Sequence, residues 1–130
     1  MIVVDASALL EVLLRTSRAR AVEERLFSPG ETLHVPHLLD VEVAQVIRRY
    51  AAHGEIDSAR GGEALDDLAS FPLRRYPHDL LLRRIWELRN NLTAYDAVYV
   101  ALAEVLEAPL LTRDRRLATA AGHRAAIVLV

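Results

Sequence analysis

Ile2-Val3-Val4-Asp5-Ala6-Ser7-Ala8-Leu9-Leu10 is the stretch that decides the fold. Three β-branched residues make a short strand, and an acid ends it. Small residues then lead into Leu9, Leu10, Leu13 and Leu14 at helical spacing. A strand that passes straight into a helix opens a β–α unit, and the same alternation continues outward along the chain. The spacing predicts helices over 6–15, from Ser17 to Phe27, and over 39–53, 57–70, 78–90, 93–106 and 115–121. In the second of these, Ala21, Val22, Leu26 and Phe27 are expected to face inward. Strands are expected at 33–35, stopped by Pro36, and at 73–76, an edge position between Pro72 and Pro77. Two more are expected at 110–112 and 126–130. Alternation of this kind implies an α/β domain, a mostly parallel central sheet flanked by helices in three layers. No linker or repeat interrupts residues 1–130, so a single domain is expected.

Composition narrows the chemistry. The chain has no Cys, which removes thiolate metal sites and cysteine nucleophiles. It also has no Lys: all 16 basic residues are Arg, which excludes a Walker-type P-loop and a Schiff-base enzyme. The net charge of −2 does not announce a nucleic-acid partner. No stretch approaches the ~20 apolar residues needed to cross a bilayer, and the N-terminus lacks a basic leader. A cytoplasmic protein without a membrane partner is therefore expected.

In an open parallel sheet, ligands bind outside the carboxyl ends of the strands. Asp5 follows the first strand and Asp114 follows the 110–112 strand. Glu42 and Asp96 lie in the first turns of the helices beginning near residues 39 and 93. Each acid has an ordinary alternative as a helix cap or as a charge favoured by the helix dipole. Together they describe a self-repelling cluster that needs a cation. Oxygen-only donors suit a hard divalent ion, Mg²⁺ in particular, and point to metal-dependent phosphoryl transfer or hydrolysis.

Four motifs carry a family resemblance. They are Val4-Asp5-Ala6-Ser7-Ala8-Leu9, Leu39-Asp40-Val41-Glu42-Val43-Ala44, Leu92-Thr93-Ala94-Tyr95-Asp96-Ala97-Val98-Tyr99-Val100-Ala101-Leu102-Ala103 and Leu111-Thr112-Arg113-Asp114-Arg115-Arg116-Leu117. In this order the chain resembles the PIN-domain ribonucleases, especially the VapC toxins of toxin–antitoxin pairs. The resemblance implies a PIN-like fold and a Mg²⁺- or Mn²⁺-dependent endoribonuclease. It makes Asp5, Glu42, Asp96 and Asp114 the catalytic acids, with Asp5 and Asp96 as metal ligands. Ser7 and Thr112 match supporting polar positions. An RNA substrate, a homodimer and a VapB-type antitoxin are the implied partners.

Arg113, Arg115 and Arg116 flank Asp114 and are candidates for RNA-phosphate contacts. The other Arg pairs read as solvated faces. The five His residues read as structural or surface groups, with His37 nearest the Glu42 helix. Asp40 reads as an N-cap, and Tyr95 and Tyr99 as packing partners at i, i+4. Apolar surface around Leu9–Leu14 and 39–50 is the expected place for dimer or antitoxin contacts. Two other functions compete. One is a catalytically silent domain that binds RNA or a partner, and the other is a metal-dependent phosphatase. The phosphatase reading suffers because Ser7 stands where a D-x-D motif needs its second Asp.

Overall fold

A computed structural model describes residues 1–130. Strand β1 (Ile2–Val4) leads into α1 (Ala6–Leu13) and α2 (Ala19–Leu26), then β2 (Leu33–Pro36) and α3 (Leu38–Ala52). Helix α4 (Ser58–Ser70), β3 (Leu73–Tyr76), a 3₁₀ turn (Asp79–Leu81) and α5 (Leu82–Glu87) follow. Helix α6 (Ala94–Leu106), β4 (Leu110–Thr112), α7 (Arg115–Thr119) and β5 (Ile127–Leu129) complete the chain.

The five strands lie in the order β3-β2-β1-β4-β5, and every neighbouring pair is parallel. Parallel strands need crossover helices, which cover the sheet, so β1 is buried along its whole length. Val3 is in register with His34 on one side and Leu110 on the other. The chain winds from β1 outward to β3, then returns to the far side of β1 to place β4 and β5. The reversal between β1 and β4 is the topological switch point, where α/β sheets open a crevice at their carboxyl edge.

Helix α6 lies against β1, β2, β4 and α5. Its seven consecutive residues Ala97–Ala103 are all buried, which fits a helix that is covered on several sides. Truncating a fully buried leucine such as Leu9, Leu39 or Leu110 to alanine costs about 2–5 kcal/mol at such sites.

Strand β2 runs through Pro36, in register with Tyr76, rather than stopping before it, and two further expected elements differ. Helix α2 starts at Ala19, which phases Val22 and Leu26 inward and leaves Ala21 exposed. Phe27 lies past the helix end at 55% exposure, its ring tilted against Phe71 at 5.7 Å. The helix expected over 78–90 is broken into the 3₁₀ turn and the six-residue α5. Only Leu81 and Leu88 of that segment are fully inward, while Leu80, Leu82 and Trp86 face out. One narrow apolar stripe does not hold a long helix against the core.

Candidate active site

Asp5 is the first residue after β1 and occupies the N-cap of α1, with extended backbone. An Asp there ordinarily turns its carboxylate back onto the helix amides. This one makes no cap bond. Its Oδ2 instead accepts from Ser7 Oγ at 2.6 Å and from Thr112 Oγ1 at 2.8 Å. Ser7 Oγ in turn accepts from the Arg113 amide, and Thr112 Oγ1 from the Asp114 amide, both at 3.0 Å. Each hydroxyl takes a backbone N–H on its lone pair and gives its one proton to Asp5. The loop after β4 is thereby tied to the junction after β1, across the switch point.

The other acids arrive on helix starts. Thr93 caps α6, accepting from the Asp96 amide at 3.2 Å, and sets Asp96 in the first turn. Asp114 caps α7, accepting from the Arg116 amide at 2.8 Å. Glu42, on the second turn of α3, accepts at Oε1 from the Tyr99 hydroxyl at 2.6 Å. All four acids line one cleft of about 750 Å³.

Their charges are poorly compensated. Burial raises Asp5 above the usual carboxylate range, against the lowering pull of the Ser7 and Thr112 hydroxyls, and Asp114 adds repulsion. Burial likewise raises Glu42, with Asp5 and Asp96 repelling it. Asp96 is raised by burial first and then by Asp5 and Asp114. No Arg pairs with Asp5, Glu42 or Asp96. Arg116 comes to 4.0 Å of Asp114 from an almost fully exposed position. As they stand, no three His, Asp or Glu side chains are close enough to hold a metal ion. Glu42 is turned to Tyr99 and Asp114 to its own helix amide, which spreads the like charges. The donor set still suits a hard cation. It is all oxygen, it faces one cleft, and three of its members form no salt bridge, Arg116 only easing Asp96 from a distance.

The Arg candidates separate. Arg113 sits between Glu11, with Nε 3.3 Å from Oε1, and the Val130 carbonyl, which accepts from its Nη1. Its charge is matched from α1. Arg115 and Arg116 are exposed beside the acids.

Asp40 is not an N-cap. It forms a two-pronged pair with Arg75 of β3, at 2.8 and 3.1 Å, because its side chain points to the sheet edge. His34 is fully buried and its ring nitrogens face Thr32 Oγ1 and Tyr76 Oη, a structural role. His37 is exposed and stands 6.3 Å from the His78 ring.

Tyr99 is the residue that sequence reasoning missed. Reading it only as the i+4 partner of Tyr95 overlooked its i+3 relation to Asp96, which puts both on one face of α6. Tyr95 is 64% exposed whereas Tyr99 is fully buried, so the two side chains lie in different surroundings. The cleft also has an apolar wall that includes Leu10, Leu14, Leu38, Val41 and Val46, and Arg49 and Tyr50 line it too.

The sequence pattern of the PIN domain matches residues 2–123. Ribonuclease VapC9 of Mycobacterium tuberculosis is 45% identical over 130 residues, covering 100% of this chain and 98% of that protein. The crystal structure of PAE2754 from Pyrobaculum aerophilum superposes with a TM-score of 0.70 at 31% identity, covering 97% of this chain and 81% of that one. VapBC2 from Rickettsia felis, bound to a DNA fragment from its promoter, gives a TM-score of 0.74 at 13% identity, covering 100% and 99%. That last likeness is one of fold.

Proposed function

The chain belongs to the PIN-domain family and, within it, to the VapC ribonucleases; from that premise we propose that Asp5, Glu42, Asp96 and Asp114 form the cation-dependent centre of a toxin endoribonuclease. The observation that carries this reading is the convergence of four carboxylates on the carboxyl edge of the β1/β4 switch point, three of them held above the usual range and in no salt bridge. Asp5 and Asp96 are the ligands of first choice, and Mg²⁺ is the ion that best suits the oxygen donors, with Mn²⁺ as a substitute. When bound, such an ion supplies Lewis-acid activation of the attacking water and neutralises charge at the phosphate.

The chain's own residues do the rest. Ser7 and Thr112 fix the Asp5 carboxylate through Oδ2 and leave Oδ1 without a hydroxyl donor. Arg115 and Arg116 offer guanidinium groups to the RNA backbone beside the acids. With no Cys, no Lys and no Ser–His pair in the cleft, direct hydrolysis by water is favoured over a covalent intermediate.

The partners follow the same reading. The apolar wall of the cleft fits an amphipathic segment of a VapB-type antitoxin, with an Arg of that segment reaching the acids. A homodimer completes the assembly, and sedimentation of the isolated chain checks it. Residues 1–130 act as one catalytic domain. No helix is long and apolar enough to cross a membrane, and the cytoplasm, where RNA is abundant, is the proposed location.

The decisive experiment incubates the chain with a total RNA pool, with EDTA or with added Mg²⁺ or Mn²⁺. Asp5→Ala and Asp96→Asn serve as controls. Metal-dependent cleavage that disappears in both variants is expected. Cleavage in EDTA, or full activity in both variants, overturns the assignment. RNA retention without products identifies a silent binding domain instead.

A further inference from the structure

Helix α6 directs two polar groups toward the acids, one lining the cleft and one buried behind it. Asp96 is one, and Tyr99 stands one turn further in. The Tyr99 ring is fully buried, and its hydroxyl reaches across to α3 to donate to Glu42 Oε1 at 2.6 Å. No other side chain hydrogen-bonds to that carboxylate, so Oε2 has no protein donor. Glu42 has three rotatable side-chain bonds and no Arg to hold it, so without the phenol its carboxylate would swing with solvent or away from Asp5 and Asp96. Asp5 is treated in a parallel way, since both of its hydroxyl donors meet on one oxygen and leave the other. Each of these two acids thus has one oxygen occupied by hydroxyl donors and one to which no side chain donates.

We propose that Tyr99 is a positioning residue for the cation, fixing the Glu42 carboxylate so that Oε2 faces the acids of the cleft. The inference rests on the assignment of Glu42 to the cation-dependent centre. A hydroxyl that holds a ligand works by removing the ligand's freedom before the ion arrives, and loss of such a partner typically weakens metal affinity or activity by about 10–100-fold. A tyrosine that merely satisfies its own hydroxyl on the nearest carboxylate would leave ion affinity unchanged.

The test measures Mn²⁺ affinity by electron paramagnetic resonance on four chains: the wild type, Tyr99→Phe, Glu42→Gln and the double variant. Cleavage of total RNA is followed in parallel. Tyr99→Phe keeps the ring and removes only the hydroxyl. It is expected to weaken Mn²⁺ binding about 10-fold in the wild-type background and to add nothing once Glu42 is Gln, the non-additivity of a residue acting through another. The thermal midpoint and circular dichroism should match the wild type. Equal affinity in Tyr99→Phe and wild type overturns the proposal, as does an equal loss in both backgrounds. An unfolded Tyr99→Phe chain also overturns it, because the hydroxyl is then a structural group. A wild-type chain that binds no Mn²⁺ defeats the metal assignment itself and this inference with it. Binding that ignores Tyr99→Phe defeats the inference alone.

Discussion

The two ends of α6 carry acids in opposite circumstances. At its start, Asp96 faces Asp5 and Asp114 and is held above the usual carboxylate range. Eight residues on, roughly 12 Å along the axis, Glu104 has a side chain only 2% exposed, yet it is held low. The difference is Arg. Arg84 of α5 grips both Glu104 oxygens, at 2.8 and 3.0 Å, and the Arg124 amide adds a bond at 3.0 Å. One end is closed by the protein's own cations and holds the last turns of α6 to α5 and to the segment before β5. The other is left short of positive charge. Burial alone does not mark a functional acid; burial without a partner does.

The largest expected effect breaks the open end. Asp96→Asn should lower RNA cleavage about 100-fold or more, since a cation supplies several kcal/mol at the transition state. The same change should leave the metal-free fold at least as stable as the wild type, because it removes a repelled charge. A melting curve in EDTA reads that second outcome, and a marked drop would mean that Asp96 is structural.

Breaking the closed end should do the reverse. Glu104→Gln leaves Arg84 half-buried and its partner neutral, at a cost of about 1–3 kcal/mol. Urea unfolding checks this value. Cleavage by the folded chain should persist, and its disappearance would show that the two ends are coupled.

A pH titration of the metal-free chain sharpens the contrast. Asp5, Glu42 and Asp96 are raised by folding, so their contribution is full below the unfolded carboxylate values and is lost as pH rises through their folded values. Glu104 is lowered, so its contribution is present above its ordinary value of 4.5 and is lost as pH falls through its folded value. Asp96→Asn should therefore flatten the high-pH decline, while Glu104→Gln should flatten the low-pH one. Thermal melts across the acid-to-neutral range would expose an exchange of these roles.

The smallest expected effect concerns RNA itself. Replacing Arg115 and Arg116 by Ser should weaken RNA binding uniformly across sequences. It should also reduce the salt dependence by about 0.7 per lost contact for single strands. Arg113→Ser should instead lower stability, because that guanidinium already holds Glu11 and the Val130 carbonyl.

Much of this was legible in the chain. The β-branched runs, the helical spacings and the four acids after strands or at helix starts are local patterns, and the structure reproduces most of those elements. The broken segment after Pro77 and the phase of α2 were not legible, because burial there depends on which neighbours cover the helix. Asp5 illustrates the same limit at the cleft. By position it is a helix cap, and only Thr112, 107 residues away, turns it into something else.

By itself the sequence determined the α/β class, the short list of acids, and the exclusion of Cys and Lys chemistry. Those follow from residue type and from spacing within a few turns. Tertiary structure alone decided the strand order that brings β1 beside β4, the pairing of Asp40 with Arg75, and the meeting of Tyr99 with Glu42 across 57 residues. The physical reason is that local periodicity records which face of an element is apolar. It does not record which distant group that face will meet once the crossovers have closed.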